Sequence, residues 1–117
     1  MRDLVKALKA LSDETRLRIL DLLFERECCV CEVMQALNIS QTRASRNLNI
    51  LHNAGFLQVR REGLWSLYSI DRAGMPECFA DLLEITKETL EENSLSIPDL
   101  KQLLTVERIS PIFALKI

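Results

Sequence analysis

Three of the four cysteines in this 117-residue chain fall within four positions, Cys28-Cys29-Val30-Cys31. Thiols this close can form disulfides, hold a soft ion as thiolates, or oxidise and reduce as a switch. No run approaches the ~20 consecutive apolar residues of a membrane span, and Met1-Arg2-Asp3 opens a polar amphipathic stretch rather than a secretory signal. The chain is therefore expected in the cytoplasm, without a membrane partner. Reducing conditions there favour a ligand set or redox sensor over a disulfide staple.

The cysteines immediately precede a short amphipathic segment, Val30 to Leu37, whose Val30, Val33, Met34 and Leu37 repeat at i, i+3, i+4, i+7. If the helical winding extends back over the cluster, Cys31, Cys28 and Cys29 lie roughly 100°, 160° and 260° around the wheel from Val30. All three then sit off the apolar stripe, at a helix N-terminus whose dipole favours thiolate, with Glu27 and Glu32 opposing that effect.

The cluster needs a scaffold. At 48% hydrophobic and 27% charged residues, the composition fits one compact domain rather than two or a disordered chain. Leu4, Leu8 and Leu11 mark a first helix. Ser12 and Asp13 cap a second, about Glu14 to Phe24, apolar over most of its circumference and so central to the core. The cysteine-led segment ends at Asn38. Ser40 caps a fourth helix from about Gln41 to Ala54, with Ala44, Leu48 and Leu51 inward, Thr42, Arg43, Arg46, Asn47 and Asn53 outward, and Gly55 closing it. Two short helices joined in about three residues, the second studded with arginine and asparagine, form the helix-turn-helix pattern.

Beyond Gly55 the period changes. Phe56 to Arg60 and Trp65 to Ile70 read as strands flanking Arg61-Glu62-Gly63, a hairpin wing with a basic edge at Arg60 and Arg61. The second strand alternates imperfectly, which leaves its inward face open. Pro76 suits the first turn of a fifth helix carrying Phe79, Leu82, Leu83, Thr86 and Leu90 to about Glu92. Ser96-Ile97-Pro98 marks a short last helix, and Val106 to Ile117 is apolar without a period. Apolar stripes on the first and late helices exceed what one small domain buries, so a twofold homodimer through those helices is expected. The expected fold is mainly α with a small β-hairpin, a winged helix-turn-helix. Residues 1–95 form the DNA-binding and dimerisation domain, and residues 96–117 an extension.

A net charge of −2 and a pI near 5.4 argue against indiscriminate polyanion binding, but the charge is uneven. Asn38 to Arg61 holds four arginines and no acid, whereas Glu77 to Leu100 holds seven acids against Lys87 alone. That is the distribution of a DNA-facing surface on an anionic body.

Several stretches together resemble the ArsR/SmtB metalloregulatory repressors over about residues 3 to 92: Leu11 to Leu20, Glu27 to Val33, Ile39 to Leu48 and Gly63 to Ser69. The likeness is greatest to the arsenical-resistance repressors, whose third helix begins with a Cys-Val-Cys motif. The resemblance implies a homodimeric repressor of double-stranded operator DNA that dissociates when As(III) or Sb(III), the inducer, binds the cysteines, with no organic cofactor. It assigns Cys29 and Cys31 to the inducer. Those repressors commonly carry a further cysteine where this chain has Met34, so Cys28 is the best third donor within the cluster. A regular helix would splay Cys29 and Cys31 by ~160°, and binding would then unwind the helix start. The resemblance also places Ser40, Gln41, Thr42, Arg43, Ser45, Arg46 and Asn47 at DNA. Arginine and amide side chains can read base edges there and hydroxyls can hold phosphates. Arg60 and Arg61 would meet the backbone or minor groove from the wing.

Other chemistries compete. Two cysteines plus Met34 suit Cu(I), although Met34 on the apolar stripe reads as core. Zinc prefers four ligands, and the one histidine, His52, lies in the fourth helix as an exposed polar residue. Cys78 reads as a buried small hydrophobe or a donor from elsewhere. Oxidation of neighbouring thiols would make the same fold a redox-sensing regulator, and a protein-interaction module with incidental cysteines would bind no duplex selectively. No acid/base or nucleophile constellation points to an enzyme.

Overall fold

The computed structural model describes residues 1–92, so the expectations for Ser96 to Ile117 lie outside the described residues. Five helices, α1 (Arg2–Leu11), α2 (Glu14–Glu25), α3 (Val30–Leu37), α4 (Gln41–Asn53) and α5 (Glu77–Glu92), surround a sheet of β1 (Cys28–Cys29), β2 (Leu57–Glu62) and β3 (Trp65–Ile70). The strands run antiparallel in the order β1-β3-β2. This is a winged helix-turn-helix, with α3 and α4 as the helix pair and β2–β3 as the wing.

Local chemistry sets the boundaries. Asp13 caps α2 by accepting the Arg16 N–H at 3.0 Å, and Ser40 caps α4 by accepting the Arg43 N–H at 3.1 Å. Both helices of the pair end in the same closure. Asn38 turns left-handed at φ 55° and lets the Ile39 N–H reach the Met34 carbonyl at 3.1 Å. Gly55 does the same at φ 99°, bringing the Phe56 N–H to the Leu51 carbonyl at 3.2 Å. Phe56 is thereby driven into the core, where its ring lies 5.4 Å from that of Phe79.

The apolar α2 touches α1, α3, α4, α5 and β3, as its near-continuous hydrophobicity requires. Ile19, Leu20 and Leu22 from α2 meet Leu48 and Leu51 from α4, Val33 from α3 and Leu67 from β3 in a fully buried cluster. Leu4, Val5 and Leu8 of α1, in contrast, stay exposed, and α1 contributes only Ala7 and Ala10 to the core. Ile85 on α5 is exposed as well.

Several expectations shift. Arg61 and Glu62 belong to β2, and the wing turns at Gly63-Leu64. Leu67, Tyr68 and Ile70 are all buried in the central strand β3, against which α2 packs, and burial on both faces erases a period-two signal. Pro76 stands one residue before α5, its carbonyl accepting from Phe79 and Ala80. Cys78 is exposed rather than a buried small hydrophobe.

Candidate functional site

The cysteines do not continue α3 backwards. Cys28 and Cys29 are extended and pair with Tyr68 and Leu67 of β3, and the helix begins only at Val30. Cys28, Cys29 and Cys31 are at most 4% exposed, which overturns the expectation that all three sit off the buried surface. The helical wheel failed because two of the three are not in a helix.

The same geometry removes the expected splay. Cys29 is the N-cap of α3 with β-region backbone, so its side chain swings over the first turn toward Cys31. The two sulfurs stand 2.7 Å apart. Successive residues of a strand point to opposite faces, so Cys28 faces away from the pair. Its Sγ approaches the Arg26 carbonyl at 3.7 Å. No group of three or more His, Cys, Asp or Glu side chains with metal-holding geometry occurs among the described residues.

A residue that motif reading passed over organises the pair. Glu32 is 2% exposed, accepts the Cys29 N–H at 3.0 Å and meets the Arg26 guanidinium at 2.8 Å. The Glu32 N–H in turn donates to the Cys29 sulfur, so the two residues cap α3 reciprocally. The spacing from an N-cap position to an acid three residues on was the available signal. Burial raises the Cys29 thiol pKa well above its ordinary range; the hydrogen bond to Cys31 and the charge of Glu32 add to this, and the Glu32 N–H only partly offsets it. The expected thiolate is therefore a neutral thiol at pH 7.

On α4, Thr42, Arg46, Asn49 and Asn53 repeat at i, i+4, i+7, i+11 and form one exposed stripe. Thr42 and Arg46 are placed as expected, and Asn49 and Asn53 extend the face. Ser40 is committed to its cap, and Gln41 donates to Ser45 at 3.0 Å. Arg43 is exposed and its guanidinium reaches Thr15 Oγ1 at 2.7 Å. Asn47 is not outward. It is buried, accepts from Arg16 Nη1 at 3.0 Å and donates to the Arg43 carbonyl at 2.9 Å.

Arg16 is the hub of that junction. It also donates to the Lys9 and Ala10 carbonyls at 3.1 and 2.7 Å, holding the end of α1, the start of α2 and the middle of α4 together. On the wing, Arg61 is exposed as expected. Arg60 is turned back onto Glu27, with Nε to Oε2 at 3.0 Å and a second contact to Oε1, and onto Glu62 at 3.0 Å. It thus ties β2 to the residue preceding the cysteines. His52 is exposed and Met34 is buried, as expected.

Two physical links join the cysteines to the α4 stripe. α3 packs on α4. Tyr68, the cross-strand partner of Cys28, points its hydroxyl at Asn49 Oδ1, 3.4 Å away.

A family model for bacterial regulatory proteins of the arsR family matches residues 13–59. An arsenic resistance transcriptional regulator of Pseudomonas putida is 42% identical over 92 residues, spanning 78% of this chain and 76% of that protein. Among solved structures, a homodimeric winged helix-turn-helix DNA-binding domain of Mycobacterium bovis, a possible ArsR-family regulator, matches with a TM-score of 0.66 at 33% identity, covering 79% of this chain and 82% of that one. An antimony-specific transcriptional repressor matches with a TM-score of 0.58 at 28% identity, covering 76% and 78%.

Proposed function

Because the chain belongs to the ArsR family of bacterial regulatory proteins, and is thereby a transcriptional repressor rather than an enzyme, we propose that it binds operator DNA as a cytoplasmic homodimer and lets go when As(III) or Sb(III) engages Cys29 and Cys31. The observation that carries this reading is the convergence of two buried sulfurs to 2.7 Å at the junction of β1 and α3. The arsenic-resistance relative and the antimony-specific neighbour support the choice of inducer.

Trivalent arsenic and antimony are soft and accept three thiolates in a pyramid, and the pair supplies two of them. Cys28 becomes a third donor only if β1 rotates out of its pairing with Tyr68 and Leu67. The expected unwinding of the helix start is thus replaced by peeling of a strand. Loss of that pairing loosens Tyr68 beside Asn49, and any shift of α3 is passed to α4 through their packing. An inducer can release DNA only through its differential affinity for the two shapes, with a coupling on the order of 1–3 kcal/mol.

Thr42, Arg43, Arg46 and Arg61, with Gln41 and Ser45 flanking, are the DNA-facing residues in this reading, and Ser40 acts through the α4 cap. Arg60 joins them only when released by Glu27. The exposed Leu4, Val5, Leu8 and Ile85 supply the dimer contact, with residues 1–95 carrying both functions. The homodimeric neighbour supports that assembly. Two recognition helices then sit ~34–36 Å apart on a twofold operator.

The test is arsenite titration of the operator-bound protein, repeated with Cys29→Ser and Cys31→Ser. Both variants should resist release, and undiminished release from both rejects the site. The short sulfur separation also favours a second reading, in which peroxide takes two electrons and two protons from the dithiol to leave a disulfide and water. Release by peroxide with a loss of two hydrogens, and none by arsenite, selects that reading.

A further inference from the structure

The α1–α4 junction carries a basic surface that the helix-and-wing reading leaves unused. Arg2, Lys6 and Lys9 fall at i, i+4 and i+7 and form an exposed stripe on α1, opposite Leu4, flanked on one side by Val5 and on the other by the inward Ala7 and Ala10. Lys6 and Lys9 line a cleft of about 280 Å³ together with Ala10, Arg16, Ile50 and Asn53. No acidic residue lines it. Arg16 spends its donors on two carbonyls and Asn47 and has Asp13 3.9 Å away, so the free charge of the cleft is that of the two lysines. The two lysines carry no ion pair among the described residues. The two lysine charges on one concave surface repel, and an anion entering it relieves that repulsion.

The position of the cleft identifies the anion. Asn53, on its rim, is also the last member of the exposed α4 stripe begun by Thr42, Arg46 and Asn49. The cleft is therefore continuous with the surface assigned to base edges. From this continuity the geometry points to a backbone-phosphate clamp, in which Lys6 and Lys9, with the Asn53 amide, hold duplex phosphates flanking the stretch that α4 reads. The inference rests on the operator-binding reading above and adds a contact surface outside the helix-turn-helix and wing.

Lysine–phosphate contacts release counterions and carry no sequence information, so the salt slope reports them. Lys6→Gln with Lys9→Gln should make the slope of log K against log salt shallower by ~3.6, at ~0.9 per phosphate contact for the four lysines of a bound dimer. The loss should be equal on operator and random duplex. A charge-matched pair away from the cleft, Arg72→Gln with Lys87→Gln, should leave the slope near that of the native chain. An unchanged slope in the Lys6/Lys9 variant, or an equal drop in the control pair, overturns the clamp.

A second measurement needs no variant. Acetylation of Lys6 and Lys9 in the native chain should slow when the duplex is bound. Equal reactivity in free and bound protein, or full protection by inorganic phosphate alone with none added by the duplex, also overturns it. A native chain that ignores operator DNA altogether defeats the parent reading, whereas one that binds it but fails these tests defeats the clamp alone.

Discussion

Asn47 lies among residues that the α4 sequence directs toward DNA, yet its side chain faces α2, and an Asn47→Ala variant tests which role governs. Alanine removes two bonds at once. The bond from the Arg16 guanidinium is charge-assisted, a class worth ~1.5–3 kcal/mol, and the bond to the Arg43 carbonyl is neutral, worth ~0.5–1.5 kcal/mol. Arg16 keeps the Lys9 and Ala10 carbonyls, and Asp13 lies 3.9 Å away, so its charge is not stranded and the low end of the sum applies. The expected destabilisation is about 2 kcal/mol, or roughly 8–16 °C in Tm for a domain of this size. Thermal unfolding followed by circular dichroism reads it, at matched protein concentration because a dimer's Tm depends on concentration. Arg46→Ala should show the reverse pattern, with Tm nearly unchanged and operator affinity sharply reduced. If Asn47→Ala unfolds within about 0.5 kcal/mol of the native chain while losing operator binding, the side chain reads bases and its placement against α2 is irrelevant.

Three further outcomes are expected. Glu32→Ala strands the Cys29 N–H and frees Arg26 from its ion pair; denaturant unfolding should show a loss of about 2 kcal/mol, and Glu32→Gln, which still accepts that N–H, less than half as much. Cys29 holds its proton because burial raises its pKa, so arsenous acid condensing with that thiol releases water and no proton. Its affinity, read by competition with a dithiol indicator, should be flat from pH 6 to 8, whereas a divalent metal ion displacing thiol protons would gain roughly tenfold per pH unit for each proton lost. Glu27→Gln with Glu62→Gln should release Arg60 to the duplex and steepen the salt dependence of random-duplex binding by up to ~1.8 per dimer.

The second, third and fourth helices were legible because each carried two agreeing signals, an apolar stripe and a cap or closing residue, whereas the first rested on a stripe alone. Asp13, Ser40, Asn38 and Gly55 fell where they were expected, and α3 matched to the residue. The cysteines were misplaced because the stripe was extended past its own start: a two-residue strand has too few positions to show a period, and β1 exists only through its pairing with β3. Burial on both faces hid the inward face of β3. Asn47, expected outward, is buried, and Arg60 is turned onto Glu27, for another reason. Residue type marks them as DNA-competent, but partners 31 and 33 residues away in the chain decide which way they point. Arg16 escaped notice because a hub that binds mostly carbonyls leaves no pattern in side-chain chemistry.

The reciprocal cap between Cys29 and Glu32 makes one sulfur answerable to folding and, in the proposed reading, to sensing as well. Serine is among the best helix starters and alanine among the poorest, so the two substitutions at position 29 should part company. If the proposed site is right, the hydroxyl variant should lose detection while preserving architecture, and the methyl variant should damage both. Any lineage that abandons metalloid sensing while keeping this domain intact therefore has an inexpensive exit at this position, through a single oxygen-for-sulfur exchange.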